Sequence, residues 1–340
     1  MKRTLAILIA LAMSVMMLTA CGSKDGTSGT PDNSGDANQT STGSYPGNKN
    51  VTLYCGYSAG GSSDTLCRLL AAKVGEKLGT TVTVENVTGA SGWVMWNQMM
   101  ESTKPDGYSF FLINSPNVTT GKYDPDNTMK YDQNDFEMIC NEVTDSNCLA
   151  IRVDDDRYSD WDSVAAYWKQ AGSLITSASG LGITSDDATA DMLVANDLGV
   201  DVDIIASGGS GDNVTFLLNG TTDFLMGNVS EMVAAHNDGQ FKILCVFAEE
   251  RDSNLPDVPT YEELTGNLVV GCSSRGYAML KDVPDDIKQI LGDAVKAAVQ
   301  DPDLIEQLNA IYTTTDYKEG QEYVDYMNQQ QQQARETWGV

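Results

Sequence analysis

The stretch Val51-Thr-Leu-Tyr-Cys55-Gly-Tyr-Ser-Ala-Gly60-Gly-Ser-Ser-Asp64 reads as a strand that turns directly into a helix. Apolar residues at Leu66, Leu69, Leu70, Val74 and Leu78 share one helical face, and Gly79 suits the stop. Val82 to Glu85 is a second strand, which completes a strand, helix, strand unit of the kind that builds parallel sheets.

Working outward, the alternation continues. A helix is predicted near Trp93 to Glu101, a turn at Pro105-Asp-Gly107 and a strand from Tyr108 to Asn114. Helices at Trp161 to Gln170 and Asp186 to Asp197 alternate with strands at Leu174 to Ser177 and Asp203 to Ala206. A helix at Asp212 to Leu218 precedes strands at Asp223 to Met226 and Phe241 to Phe247. The chain ends in helices from Pro284 as a first-turn proline to Val299, from Pro302 to about Ile311, and around Tyr323 to Trp338. Alternation this regular indicates an α/β fold. The glutamine run Gln329 to Gln333 reads as a solvated face of the last helix.

At the amino terminus, Lys2 and Arg3 precede an apolar run from Leu5 to Leu18, the pattern of a cleaved signal peptide. Leu18-Thr-Ala-Cys21 is similar to the bacterial lipobox, in which the cysteine is lipidated and becomes the mature first residue. The expectation is therefore export with a lipid anchor at Cys21, which holds the protein at the outer face of the cell membrane or as a periplasmic lipoprotein. Gly22 to about Asn50 is Ser, Gly, Thr, Asp, Asn and Pro with little to bury, and reads as a flexible tether. The roughly 290 residues that follow exceed what one hydrophobic core usually organises, so two lobes are expected.

The formal net charge of -27 argues against nucleic acid as a partner. An anionic ligand would have to be drawn by short-range hydrogen bonds in a local pocket, which screening over about 8 Å permits. Six cysteines lie beyond Cys21, with no C-x-x-C spacing, so neither a structural metal site nor a cofactor is indicated. Cys55, Cys67, Cys140, Cys245 and Cys272 sit in apolar stretches and read as mostly free thiols, with Cys140 and Cys148 the first pair to test.

Enzyme chemistry has few carriers here. The lone histidine, His236, ends a short helical stretch where a surface or capping role suffices. Gly56-Tyr-Ser58-Ala-Gly60 has the G-x-S-x-G spacing of a hydrolase elbow, but the helix signals begin several residues after Ser58 rather than at it. Two glycine-rich turns between strand and helix carry more: Tyr57 to Asp64, and Ser177-Ala-Ser-Gly180-Leu-Gly-Ile-Thr-Ser185. Glycines admit close approach of a ligand, and the first unpaired helix amides present about half a positive charge, so such turns bind carboxylate without Arg or Lys. Gly180-x-Gly182 with Asp201 or Asp203 downstream also approaches a dinucleotide fingerprint, but Ser185 stands where the third glycine belongs.

From about Tyr45 to about Leu308 the chain resembles the tripartite tricarboxylate transporter substrate-binding proteins, the Bug or TctC-like receptors. The resemblance rests on Tyr57-Ser-Ala-Gly-Gly-Ser-Ser-Asp-Thr-Leu-Cys-Arg-Leu-Leu70, Val82-Thr-Val-Glu-Asn86, Gly89-Ala-Ser-Gly92 and Pro105-Asp-Gly-Tyr108. Ser177 to Thr184, Gly208-Gly-Ser210 and Leu255-Pro-Asp-Val-Pro-Thr260 follow in order. It implies a type II periplasmic-binding-protein fold with two lobes, crossed near Cys148 and Phe247. The implied division is signal 1–20, tether 21–50, first lobe 51–147 and 248–340, and second lobe 148–247.

By position, the resemblance makes Tyr57, Ser58, Ala59, Gly60, Gly61, Ser62 and Asp64 the first jaw of a ligand clamp. Ser177, Ser179, Gly180 and Thr184 form the second, and Ser115, Gly209 and Ser210 line the cleft. Asp64 is expected to order its loop rather than touch an anion. The implied function is capture of a small organic acid by a monomeric receptor and delivery to a permease with one large and one small membrane subunit. A ligand sensor serving a signalling partner, or an exported enzyme, is the alternative.

The sequence departs from the family pattern at Gly56, where a proline is usual and a looser loop is implied, and at Gly227, where aspartate is frequent. Asp186 or Asp187 stands where histidine is common, which disfavours a second acidic group on the ligand or favours an amine or hydroxyl. Trp93 and Trp96 either pack the lobe interior or form an aromatic ligand wall.

Overall fold

The computed structural model describes residues 45–123, 129–179 and 184–339. The expected signal peptide, Cys21 and nearly all of the expected tether lie outside them, as does Gly180. The chain runs β1 (Val51–Cys55), α1 (Ser62–Leu78), β2 (Val82–Asn86), α2 (Trp93–Ser102), β3 (Ser109–Ser115) and α3 (Asn117–Thr120). It continues through β4 (Glu137–Arg152), α4 (Trp161–Ala171), β5 (Ser173–Ser179), α5 (Asp186–Leu198), β6 (Asp201–Ser207) and α6 (Ser210–Leu218). Then come β7 (Leu225–Asn228), α7 (Val229–Asn237), β8 (Phe241–Val246), α8 (Tyr261–Thr265) and β9 (Cys272–Met279). Last are α9 (Asp285–Val299), α10 (Pro302–Asn309), β10 (Thr315–Glu319) and α11 (Gly320–Trp338).

β1 pairs in parallel with β2 and β3, as the strand, helix, strand pattern requires. The sheet becomes mixed beyond β3, because β9 pairs antiparallel with both β3 and β4. β4 and β9 carry no simple apolar rhythm and were not among the expected strands. β4 is 16 residues long and serves two sheets. Up to Ser146 it pairs with β9, and from Asn147 onward with β7 and β8.

The apolar cores follow the same division. One cluster draws on residues between Tyr45 and Val143 and again between Tyr277 and Met327. Two smaller clusters lie wholly between Cys148 and Val269. The chain passes between these cores at Asn147 and returns at Phe247 and Gly271, where three backbone bonds close a ring. Asn147 N donates to Gly271 O (2.8 Å), Phe247 N to Asn147 O (2.9 Å) and Gly271 N to Phe247 O (3.1 Å). A Cβ on Gly271 would come within 2.9 Å of Ala190 and of Asn147, so only glycine fits this junction.

α11 reaches both β4 and α5 and thereby touches elements on either side of the crossing. The glutamine run in it is not a solvated face. Gln330 accepts from Ser115 Oγ (2.8 Å), Gln331 donates to Thr119 O (2.6 Å) and Gln333 donates to Val270 O (3.2 Å), while Gln329 and Gln332 are exposed. Gln330 and Gln333, three residues apart, share a helical face, and Gln331 and Gln333 satisfy main-chain carbonyls of α3 and of the segment before β9.

Pro284 sits one residue earlier than expected, as an extended N-cap before Asp285. All six cysteines among the described residues are free and buried. Cys140 and Cys148 lie on one continuous strand, β4, about 26 Å apart at a rise of about 3.3 Å per residue, and cannot bridge.

Candidate functional site

Between the two sides of the crossing lies a polar cavity of about 300 Å³, onto which the starts of four helices open: Ser62 and Ser63 of α1, Ser185 and Asp186 at α5, Ser210 of α6, and Asn228 at α7. Each helix start presents unpaired amides and the positive end of its dipole. Neither α1 nor α6 has a side-chain cap; each is preceded instead by a glycine, Gly61 and Gly209. Their amides are therefore available to a ligand.

The turn before α1 is held from behind. Asp64 accepts from Gly60 N (2.8 Å), from Arg68 Nε (2.9 Å) and from Asn86 Nδ2 (2.8 Å), and Asn86 also donates to Tyr57 O (2.9 Å). Burial opposes the charge on Asp64, but Arg68, the Gly60 amide and Asn86 outweigh it and hold the carboxyl below its ordinary value. The turn before α6 repeats the construction. Gly208 N donates to Asp212 Oδ2 (3.0 Å), so Gly60-Gly-Ser-Ser-Asp64 and Gly208-Gly-Ser-Gly-Asp212 share a pattern and its glycine-to-aspartate bond. Their serines meet on one carboxylate: Ser62 Oγ lies 3.5 Å from Glu231 Oε1, and Ser210 Oγ donates to Glu231 Oε2.

The floor of the cavity belongs to β9, through Ser273 and Arg275, with β4 behind it. Arg275 lines it while only 4% exposed, and its guanidinium approaches Asp145 at 3.6 Å. Arg275 Nε is buried and makes no hydrogen bond among the described residues. Burial works against the Arg275 charge, and Asp145, Glu231 and Asp186 more than offset it. Burial pushes the Asp145 carboxyl up to about 6, against the opposing pull of Arg275 and two bonds from Ser230. Asp186 is fixed by Asn147 Nδ2 and Asn228 Nδ2, each 2.9 Å from its Oδ2. A second cavity of about 240 Å³ shares Asp186 but lies under α11, without the starts of α1, α6 and α7 or the arginine.

A family model described as the tripartite tricarboxylate transporter family receptor, TctC, matches residues 66–337. The chain belongs to this family. It is 30% identical to a UPF0065 protein encoded in the gbd 5′ region of Cupriavidus necator, over 81% of this chain and 82% of that one. A TctC solute-binding protein from Polaromonas, crystallised with no ligand, superimposes with a TM-score of 0.71 at 25% identity, over 87% of this chain and 99% of that chain. MatC from Rhodopseudomonas palustris with bound malate shares the fold at a TM-score of 0.71 and 22% identity, over 86% and 99%. TctC receptors are periplasmic solute-binding proteins, and this chain is accordingly a binding protein rather than an enzyme. No described helix is long and apolar enough to cross a membrane.

In this TctC receptor, Tyr57, Ser58, Ser62, Gly209 and Ser210 line the cavity. Ala59, Gly60, Gly61 and Asp64 do not; they shape the turn behind it. Ser115 does not line the cavity, because successive strand residues face opposite ways: Asn114 faces the cavity and Ser115 donates to Gln330. Of the second predicted turn, the described Ser177 and Thr184 are buried away from it, whereas Ser185 and Asp186 reach it.

Arg275 and Asp145 were missed because they sit in the strands that lack an apolar rhythm. The counterpart of the first turn was legible as a repeated Gly-Gly-Ser-x-Asp pattern, and only its serine and second glycine were singled out. Gly56 does not loosen its loop; a Cβ there would stand 2.7 Å from Gly92 Cα, so glycine permits a close backbone contact. Gly227 leaves room for Met232, whose sulfur would lie 2.6 Å from an added Cβ. Trp93 and Trp96 are core residues, packed edge to face at 5.1 Å, with indole N–H groups donating to Asn117 O and Leu112 O. His236 is not at the cavity; its Nδ1 accepts from Ile243 N (3.2 Å).

Proposed function

We propose that this receptor captures a small carboxylate-bearing solute in the cavity between its lobes and delivers it to a tripartite tricarboxylate-type transporter with one large and one small membrane subunit. The observation that carries the reading is the convergence of uncapped α1 and α6 starts with a buried, under-bonded Arg275 on one cavity. Amides and a guanidinium together recognise a planar carboxylate, and the burial of Arg275 strengthens its share. The bound malate of MatC supports the same ligand class.

In this reading 51–147 and the chain after Gly271 form one lobe and 148 to about 270 the other, since Leu255, Val258, Tyr261 and Val269 pack into the cores that begin at Cys148, with closure about the Asn147, Phe247 and Gly271 ring. The receptor acts as a monomer outside the cytoplasm, tethered through a lipid on Cys21. A thermal-shift screen of the purified chain with mono-, di- and tricarboxylates tests capture. A ligand at 100 times its Kd adds about 2.7 kcal/mol of stability. Neutral sugars raising the Tm while every carboxylate leaves it unchanged would remove the reading. Mass spectrometry of the membrane-extracted amino terminus tests the anchor, which Cys21→Ala should abolish.

A further inference from the structure

The charged groups lining the cavity are Asp186, Glu231 and Arg275, with Asp145 directly behind the arginine. No lysine or histidine joins them among the described lining residues. Neither Asp186 nor Glu231 forms an ion pair among the described residues. Their partners are neutral, amides for Asp186 and hydroxyls for Glu231. Neutral donors orient a carboxylate without cancelling its charge. The lining is thus anionic overall, although it contains a cation with an unused buried donor, Arg275 Nε.

From this arrangement we infer that the solute is a zwitterion with one carboxylate and one protonated amine, whose carboxylate meets Arg275 and the α1 and α6 amides and whose ammonium meets Asp186. The inference rests on the carboxylate-capture reading of the same cavity and narrows it. A dicarboxylate would leave its second anionic end facing Asp186 and Glu231, where like charges repel. A simple monocarboxylate would pair with Arg275 but leave the acidic wall without a cation. An amine at the far end satisfies both. Glu231 is already engaged by Ser62 and Ser210, so Asp186, held by Asn147 and Asn228, is the group placed to receive the ammonium.

The test uses calorimetry and thermal shift on the purified chain with three probe series matched for length. These are amino acids from glycine to 6-aminohexanoate together with L-α-amino acids, the corresponding dicarboxylates, and alkyl monocarboxylates with n-alkylamines as controls. At least one amino acid should bind about tenfold or more tighter than the dicarboxylate and monocarboxylate of its length. A dicarboxylate that binds tightest overturns the ammonium assignment and leaves carboxylate capture standing. Alkylamines that match the amino acids, or silence from every carboxylate, remove carboxylate capture itself. Asp186→Asn should erase most of the preference for the amino acid over the dicarboxylate while circular dichroism and Tm remain close to the parent. An unchanged preference in that folded variant would overturn the role of Asp186.

Discussion

The turns at Gly60–Asp64 and Gly208–Asp212 make the same hydrogen bond from glycine amide to aspartate, yet differ in what stands behind it. Asp64 is 2% exposed and is gripped by Gly60, Arg68 and Asn86. Asp212 is exposed and holds Gly208 N alone among the described residues. The backbones differ too: in the first turn the left-handed residue is Gly60 (φ 85°), and in the second it is Gly209 (φ 147°). One motif therefore yields a turn built into its lobe and a turn framed by a single exposed bond. In the proposed reading, preorganised recognition falls to the first and adaptation during closure to the second.

The largest effect that separates them is Asp64→Ala. It empties a buried position and releases the Gly60 amide, Arg68 and Asn86 together, so a loss of about 1–3 kcal/mol in denaturant unfolding is expected, with solute binding weakened. Because the Asp64 carboxyl is held below its ordinary value, the stability it supplies is complete above about pH 4 and disappears as the pH falls through its folded value. Asp64→Asn should accordingly flatten the acid limb of the stability curve below that point. Next in size is Gly209→Ala, which forces a Cβ into a positive-φ backbone at about 1–2 kcal/mol. Gly61→Ala at the matching position has φ -78° and meets only Ser58 O at 3.3 Å, so it should fold nearly as well as the parent. Equal losses for the two alanines would mean the backbones are not distinct in solution.

How much of this was readable from sequence follows the same line. Strands and helices with a clean apolar period, such as β1, α1, β2, α5 and β6, are where the periodicity puts them. β4 and β9 were illegible because Asn141, Glu142, Asp145 and Asn147, and Ser273, Ser274 and Arg275, interrupt the run while being buried. A buried polar residue carries no hydrophobic signal and is tolerated only where it has a task. Here the task is the crossing and the cavity floor. The first turn was visible because all its supporting partners but Asn86 are local. The convergence of four helix starts was not, since it depends on pairings across more than a hundred residues.

The floor between the turns should respond to pH where the turns do not. With its carboxyl pushed up to about 6, Asp145 ionises just below neutrality and pairs with Arg275. The folded chain takes up that proton before the unfolded chain does, so ionising Asp145 subtracts stability as the pH rises from about 4 to 6. Protonation releases Arg275 to the solute, whereas the remaining facing groups, Ser230 and Glu231 on α7 and Asp186 on α5, stay in place. Calorimetry should show carboxylate affinity rising about three- to tenfold from pH 7.5 to 5.5, since a solute carboxyl remains ionised there. Asp145→Asn should level that slope; a slope of the same size in the variant would assign the effect to another group.

The smallest expected effect is the sharpest test of the comparison. Asp212→Ala removes a single exposed bond to Gly208 N, an amide that water can reach, so about 0.5–1 kcal/mol of stability and no more than a few-fold of affinity should be lost. The same substitution lengthens the set of conformations open to Gly208 and Gly209, so its signature should be kinetic. Solute association should slow while dissociation changes little, because the bound state restores the turn that the free state no longer holds. If Asp212→Ala instead weakens folding as much as Asp64→Ala, the second turn is as preorganised as the first, and closure must be carried by the Asn147, Phe247 and Gly271 ring alone.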